Sequence, residues 1–217
     1  MVVSEVKQAV WGLSVTAGQG AARLGKQLAV FLIALLVHVS AFGQQNTQTF
    51  TFQGNTFQDY TAPATGWYFL DARGAQGGPA SNYSHQGGWG ARMQGYIHLQ
   101  AGDTLTIAVG GAGQVGQNIG NKVSGGGGGG GSSVLKGASP LLFAGGGGGA
   151  GAAADGLPGL NTVNGGSAAG AGGTGGSGGG IGASKYGGAG GGGYDGGGGT
   201  HLDGSSPPIL SQGGSAY

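Results

Sequence analysis

"VSGGGGGGGSSVLKGASPLLFAGGGGGAG", residues 123–151, is the stretch on which the fold turns. Two uninterrupted glycine runs flank an apolar segment that ends in Leu141, Leu142 and Phe143. Glycine loses more conformational entropy on ordering than any other residue, so a flexible linker is the first expectation for such runs. A linker, however, has no reason to interrupt itself with "PLLFA", whose apolar residues need a core. Chains without Cβ atoms can instead form threefold extended helices of the polyproline II type, packed at a separation that side chains would forbid. Backbone N–H···O bonds, helped by weaker Cα–H···O contacts, would satisfy the polar groups. Ordering each residue costs about 1–2 kcal/mol, which only a cooperative lattice anchored to a folded scaffold could offset. The stretch therefore predicts glycine rods containing Gly125, Gly128, Gly131, Gly145 and Gly149, tied down by a strand over Leu141, Leu142 and Phe143.

The rest of the chain fits that reading. Of 217 residues 60 are glycine, about four times the ordinary share. Charged residues make up 7%, too few for the usual disordered composition. Eight Lys and Arg against seven acids leave no basic face for nucleic acid. The chain has no cysteine, hence no disulfide framework and no Cys-based metal site. Glycine does not recur at every third position, which excludes collagen.

Residues 46–110 read as ordinary β structure. "TQTFTFQ" (47–53) alternates, with Phe50 and Phe52 on one face, and Phe57 and Tyr60 follow before a Pro-containing turn. "GWYFLDAR" places Tyr68, Leu70 and Ala72 on one side and Trp67, Phe69, Asp71 and Arg73 on the other. "RMQGYIHL" (92–99) and "TLTIAVGG" (104–111), joined by "AGD", read as a hairpin. "SSVLKG" and "PLLFAGG", within 132–146, form a further strand pair. Residues 111–199 are mostly glycine with Ala, Ser and Asn and show no fixed period. The expectation is an antiparallel all-β scaffold over about 46–110, 132–146 and 212–217, with a polyglycine lattice over about 111–131 and 145–199.

The N-terminus reads as an export signal over residues 1–43. Arg23 and Lys26 precede the apolar run Leu28 to Val39, too short for a relaxed membrane span of roughly 20 residues but suited to a signal h-region. Ala41 and Gly43 suggest cleavage before Gln44, and an uncleaved anchor is the alternative. Cleavage there leaves five basic and six acidic residues in one domain, 44–217. Secretion or surface display is the expected location.

The order of these pieces resembles the glycine-rich domain of the anaplastic lymphoma kinase and leukocyte tyrosine kinase receptors, also found in bacterial secreted proteins. The residues that carry it are "TGWYFLDARGAQGG" (65–78), "GYIHLQAGDTLTIAVGGAGQ" (95–114), "GGGGGGGSSVL" leading to "PLLFAGGGGGAG", then "GGAGGGGYDGGGG" (187–199) and "QGGSAY" (212–217). The resemblance covers about residues 48–217. It implies a tumour-necrosis-factor-like β-sandwich with packed polyglycine II helices inserted between its strands, and an extracellular ligand-binding or adhesive role. The animal receptors carry disulfides in this domain, and this chain has none. H-R-D, D-F-G and V-A-I-K are absent, so neither kinase activity nor ATP binding follows.

Motifs for chemistry are sparse. "GAARLGK" (20–26) nearly spells a phosphate-binding loop, but Gln27 stands where magnesium needs Ser or Thr, and no strand precedes it. His201 and Asp203 are two potential metal ligands, short of a site. His85 and His98 read as surface or loop residues. Asp155, Asp195 and Asp203, each before a glycine, read as turn residues. "NYS" (82–84) is a glycosylation sequon. No catalytic constellation, metal site or cofactor is expected. Tyr83, Trp89, Tyr186 and Tyr194 are the candidate binding residues, flat rings that could stack on a glycan or protein partner. The blander reading, preferred on sequence, makes them small local cores capping the glycine rods. The function expected is a rigid binding or adhesion module for an extracellular protein or glycan. Its rivals are a cell-wall or matrix protein with a flexible or self-associating glycine tract, and a phage-type adhesin tip.

Overall fold

The fold was taken from a computed structural model, which describes residues 4–9, 46–54, 56–118, 123–161, 166, 172, 188–192, 198, 201–202 and 210–211. Among the described residues there is no helix. The strands are β1 (Ser4–Ala9), β2 (Thr47–Phe50), β3 (Gln58–Thr61), β4 (Gly66–Arg73), β5 (Arg92–Leu99), β6 (Thr104–Ala108), β7 (Ser132–Lys136), β8 (Ser139–Ala144), β9 (His201–Leu202) and β10 (Leu210–Ser211). One four-stranded sheet has the order β2-β1-β4-β5, the other β3-β6-β7-β8, and β9 pairs with β10. Every pairing is antiparallel.

Period-two alternation sets the core. Phe50, Tyr68, Leu70 and Leu99 from one sheet meet Leu105, Ile107, Val109 and Val134 from the other side in one buried cluster. Leu141 and Leu142 pack partly buried against it, and Phe143 is buried. The Tyr68 ring is inaccessible, and its hydroxyl is satisfied by donating to Ala64 O at 2.7 Å. Phe52 does not share the buried face of Phe50. It is exposed, and its ring lies over Gly111, where a Cβ would meet ring carbons at 2.8–3.1 Å.

β5 and β6 are not the hairpin their sequences suggest. β5 pairs with β4, whereas β6 pairs with β3 and β7, so the turn 100–103 carries the chain from one sheet to the other. Alternation could not tell the two apart, because Leu99 and Leu105 face the core either way. Gly102 takes φ +89° in this turn, and the Asp103 carboxylate accepts the Gln100 N–H at 2.8 Å and the Lys136 ammonium at 2.6 Å. The β7–β8 hairpin does form where expected, around Gly137.

Two further differences concern boundaries. Residues 74–91, placed in the β scaffold on sequence, contain no strand; they join the glycine-rich segments. Ser4–Ala9, assigned to the export leader on sequence, is the strand between β2 and β4. The apolar run 28–39 and the closing stretch 212–217 lie outside the described residues. No helix among the described residues is long and apolar enough to cross a membrane.

Glycine segments leave one end of both sheets. β4 runs into residues 74–80, and 85–91 lead back into β5. β6 runs into 110–117. Residues 124–131 lead into β7, and β8 continues into 145–150. The antiparallel pairs persist beyond the strands with a new repeat. The N–H groups of Gly74, Gly77 and Ala80 donate to Ala91, Gly88 and His85 O, while those of Ala75, Gly78 and Ser81 donate to Gly130, Gly127 and Ser124 O. Partners thus recur every third residue, a period that the sequence of 111–199 did not disclose.

Candidate functional site

Residues 145–150 show how the glycine region is held. The successive N–H groups of Gly146, Gly147 and Gly148 donate to three different segments, at Gly192, Ala75 and Leu157 O, at 2.9–3.1 Å. Gly149 and Ala150 then return to the first two, at Ala189 and Gly78 O. In the other direction this segment accepts from Gly88 and Ala91, from Gly126 and Gly129, and from Gly166. Side chains would not fit. A Cβ on Gly147 would collide with Gly88 O, one on Gly146 with Gly129 O, one on Gly149 with Gly126 O, and one on Gly128 with Gly190 O. Gly125, Gly131 and Gly145 are buried in the same region.

Side chains appear where a segment has an open side. Arg73, Gln76 and Pro79 are the accessible residues of one segment, and Gln86, Trp89 and Arg92 the exposed residues of the next, each three apart. Trp89 is therefore 72% exposed, beside Leu157 and Leu160 on the neighbouring segment, where Gly159 N–H donates to Trp89 O at 2.7 Å. Tyr83 is also exposed and holds φ +58° in the turn between the two segments. These two rings are consequently not the buried local cores preferred on sequence. Tyr186 and Tyr194 lie outside the described residues. The Asp155 carboxylate does more than shape a turn: it accepts the Gln86 N–H at 2.8 Å and lies 3.1 Å from His85 Nδ1. The Gln86 amide, then His85, hold its pKa below the ordinary carboxylate value.

A second accessible surface is the outer face of β4 and β5, which sequence reasoning did not single out. The register pairs Trp67 with His98, Phe69 with Tyr96, Asp71 with Gln94 and Arg73 with Arg92. Trp67 and His98 meet edge-to-face at 5.5 Å, and Phe69 and Tyr96 are tilted at 5.0 Å. Tyr96 is 67% and Trp67 49% exposed, so these rings are backed by the sheet but open to solvent. The aromatic end gives way to a charged end. Arg92 clamps Asp71 through Nε and Nη2, at 3.0 and 2.6 Å, Arg73 Nη2 lies at 3.4 Å, and Gln94 Nε2 at 3.3 Å. Burial alone would raise the Asp71 pKa, but the hydrogen bonds and charges of Arg92 and Arg73 outweigh it and hold the carboxyl below its ordinary value. Two arginines thus converge on one nearly inaccessible carboxylate. The signal was present in the sequence as the second phase of alternation in 92–99, Gln94, Tyr96 and His98, opposite Trp67, Phe69 and Asp71.

Among the described residues no three His, Cys, Asp or Glu side chains gather as a metal site requires. The phosphate-loop-like "GAARLGK" and Asp203 lie outside the described residues. Compared with known protein families and with characterised proteins, the sequence matches none of them.

Proposed function

We propose that this chain is a secreted or cell-surface binding and adhesion module without catalytic activity, built as an antiparallel β-sandwich with polyglycine II helices packed at one end. The resemblance to the glycine-rich domain of the anaplastic lymphoma kinase type supports the architecture and the extracellular setting. The three-residue hydrogen-bond repeat supports reading the glycine segments as threefold helices. The shared core of Tyr68, Leu70, Leu105 and Ile107 supports reading the two sheets as a sandwich.

The observation that carries the function is the outer face of β4 and β5. Rings at Trp67, Phe69 and Tyr96 lie on a sheet rather than a mobile loop, so little side-chain entropy is lost when a partner stacks on them. The partner class is an extracellular glycan or protein; nothing here calls for nucleic acid, ATP or a cofactor. Screening the full chain against glycan and extracellular-protein arrays tests the reading. The expected result is a ligand whose binding falls at least tenfold in Trp67→Ala and Tyr96→Ala while Thr106→Ala on the other sheet binds normally. A ligand insensitive to both aromatic substitutions would move the site elsewhere.

A further inference from the structure

Among the described residues β2 and β4 are not paired with each other; both pair with β1. On one side Ser4, Glu5, Val6 and Lys7 pair with Phe50, Thr49, Gln48 and Thr47. On the other Glu5 to Ala9 pair with Asp71, Leu70, Phe69, Tyr68 and Trp67. Removing β1 would leave a channel about 9–10 Å across, edged on both sides by unpaired backbone groups. On the core side it would be flanked by the buried residues Tyr68 and Leu70 of β4 and Phe50 of β2.

The sequence of β1 does not repeat that apolar character. The register positions sharing the face of Tyr68 and Leu70 hold Ser4, Val6 and Gln8, so two of the three are polar. A strand with one face on a core is held in register by apolar residues at such positions. The export signal also lies between β1 and β2 in sequence, so cleavage before Gln44 would detach β1 from the domain it completes.

We infer that the channel between β2 and β4 is a strand-acceptor site. β1 fills it in the uncleaved chain. After cleavage it takes an extended segment of a partner polypeptide, antiparallel to both edges and apolar at alternate positions. Main-chain bonds to both edges would supply affinity, and the alternate side chains specificity. This rests on the export reading, which N-terminal sequencing of the secreted chain tests separately; ligand binding at Trp67 and Tyr96 is a separate matter again.

The test uses the full chain carrying a specific protease site inserted between residues 10 and 43, and labelled peptides of residues 3–10. The cut chain is expected to take up the peptide, whereas the uncut chain is not. A peptide with Ser4→Val and Gln8→Val should bind at least tenfold more tightly, and one with Val6→Pro should not bind. Because the chain has no cysteine, register can be fixed by disulfide trapping. A Lys7→Cys peptide should cross-link to Thr47→Cys and, separately, to Phe69→Cys, the residues on either side of position 7. Equal uptake by cut and uncut chain, no uptake by the cut chain, or cross-linking to one edge alone would each overturn the inference.

Discussion

The two sheets and the glycine region solve the same problem in opposite ways. In the central strands β4 and β6, backbone groups bond to a neighbour on each side and the core-facing side chains are buried, so stability resides in residues such as Tyr68, Leu70 and Ile107. In residues 145–150, backbone groups bond in three directions and the Ala150 methyl is the sole side chain, so the place of an apolar core is taken by close backbone approach. The same strand pairs run through both: β4 and β5 continue as 74–80 and 85–91, and β7 and β8 as 124–131 and 145–150. What changes along each pair is the repeat, from two residues to three. A glycine thus has opposite meanings in the two regions.

The same substitution on either side of that boundary gives the largest contrast. Gly147→Ala drives a Cβ into the Gly88 carbonyl, with no flexible side chain able to yield. It should cost about 4 kcal/mol or more, or prevent folding. In β5, Gly95→Ala places its Cβ 3.4 Å from Leu142 Cδ1, ordinary contact, and replaces a strand-weakening glycine. Its midpoint in urea should stay within about 1 kcal/mol of the parent or rise. Equal, small effects at both positions would erase the distinction between the regions.

Much of this was legible in the sequence, for physical reasons that also mark where legibility stopped. Alternation identified the inner residues of β4, and the interruption of glycine by "PLLFA" pointed to an anchored rather than a free tract. Alternation is blind to which sheet a strand joins, hence the mistaken β5–β6 hairpin. The three-residue repeat was written in the spacing of large side chains, Arg73–Gln76–Pro79 and Gln86–Trp89–Arg92, not in the glycines. It was hidden because a period carried by rare residues is swamped by the common one. Trp67, Phe69, Tyr96 and His98 were on the page as separate alternations; only register joins them into a surface. The pairing of Ser4–Ala9 between β2 and β4 is a long-range event that no local pattern encodes.

Acid sharpens the comparison at the seam, where Arg92 and Arg73 mark the junction of strands and glycine segments. The folded-state pKa of Asp71 is depressed, so its contribution to stability is full above the unfolded value of about 3.9 and is lost as pH falls through the folded value. Stability measured from pH 7 to pH 2 should decline below about pH 4, and Asp71→Asn should flatten that decline. An unchanged acid slope in the variant would show that other carboxylates carry it.

A smaller contrast lies in adjacent serines of β7. Ser132 Oγ accepts the Gly110 N–H at 3.0 Å, tying the first glycine after β6 to the sheet, whereas buried Ser133 Oγ has no partner. Ser132→Ala should cost about 1–2 kcal/mol by orphaning that N–H, while Ser133→Ala should be neutral or stabilising by up to about 1 kcal/mol. Denaturant titration of the two variants side by side decides it; matching losses would mean that both hydroxyls are bonded.

Amide hydrogen exchange, resolved at Gly146–Ala150 and at β4 in the same sample, tests the central claim most directly. If the glycine segments form a cooperative hydrogen-bonded lattice, those amides are protected as strongly as Tyr68 and Leu70 and open together with them. Exchange of Gly146–Ala150 at random-coil rates while β4 stays protected would contradict the account, leaving a β domain with flexible glycine tracts.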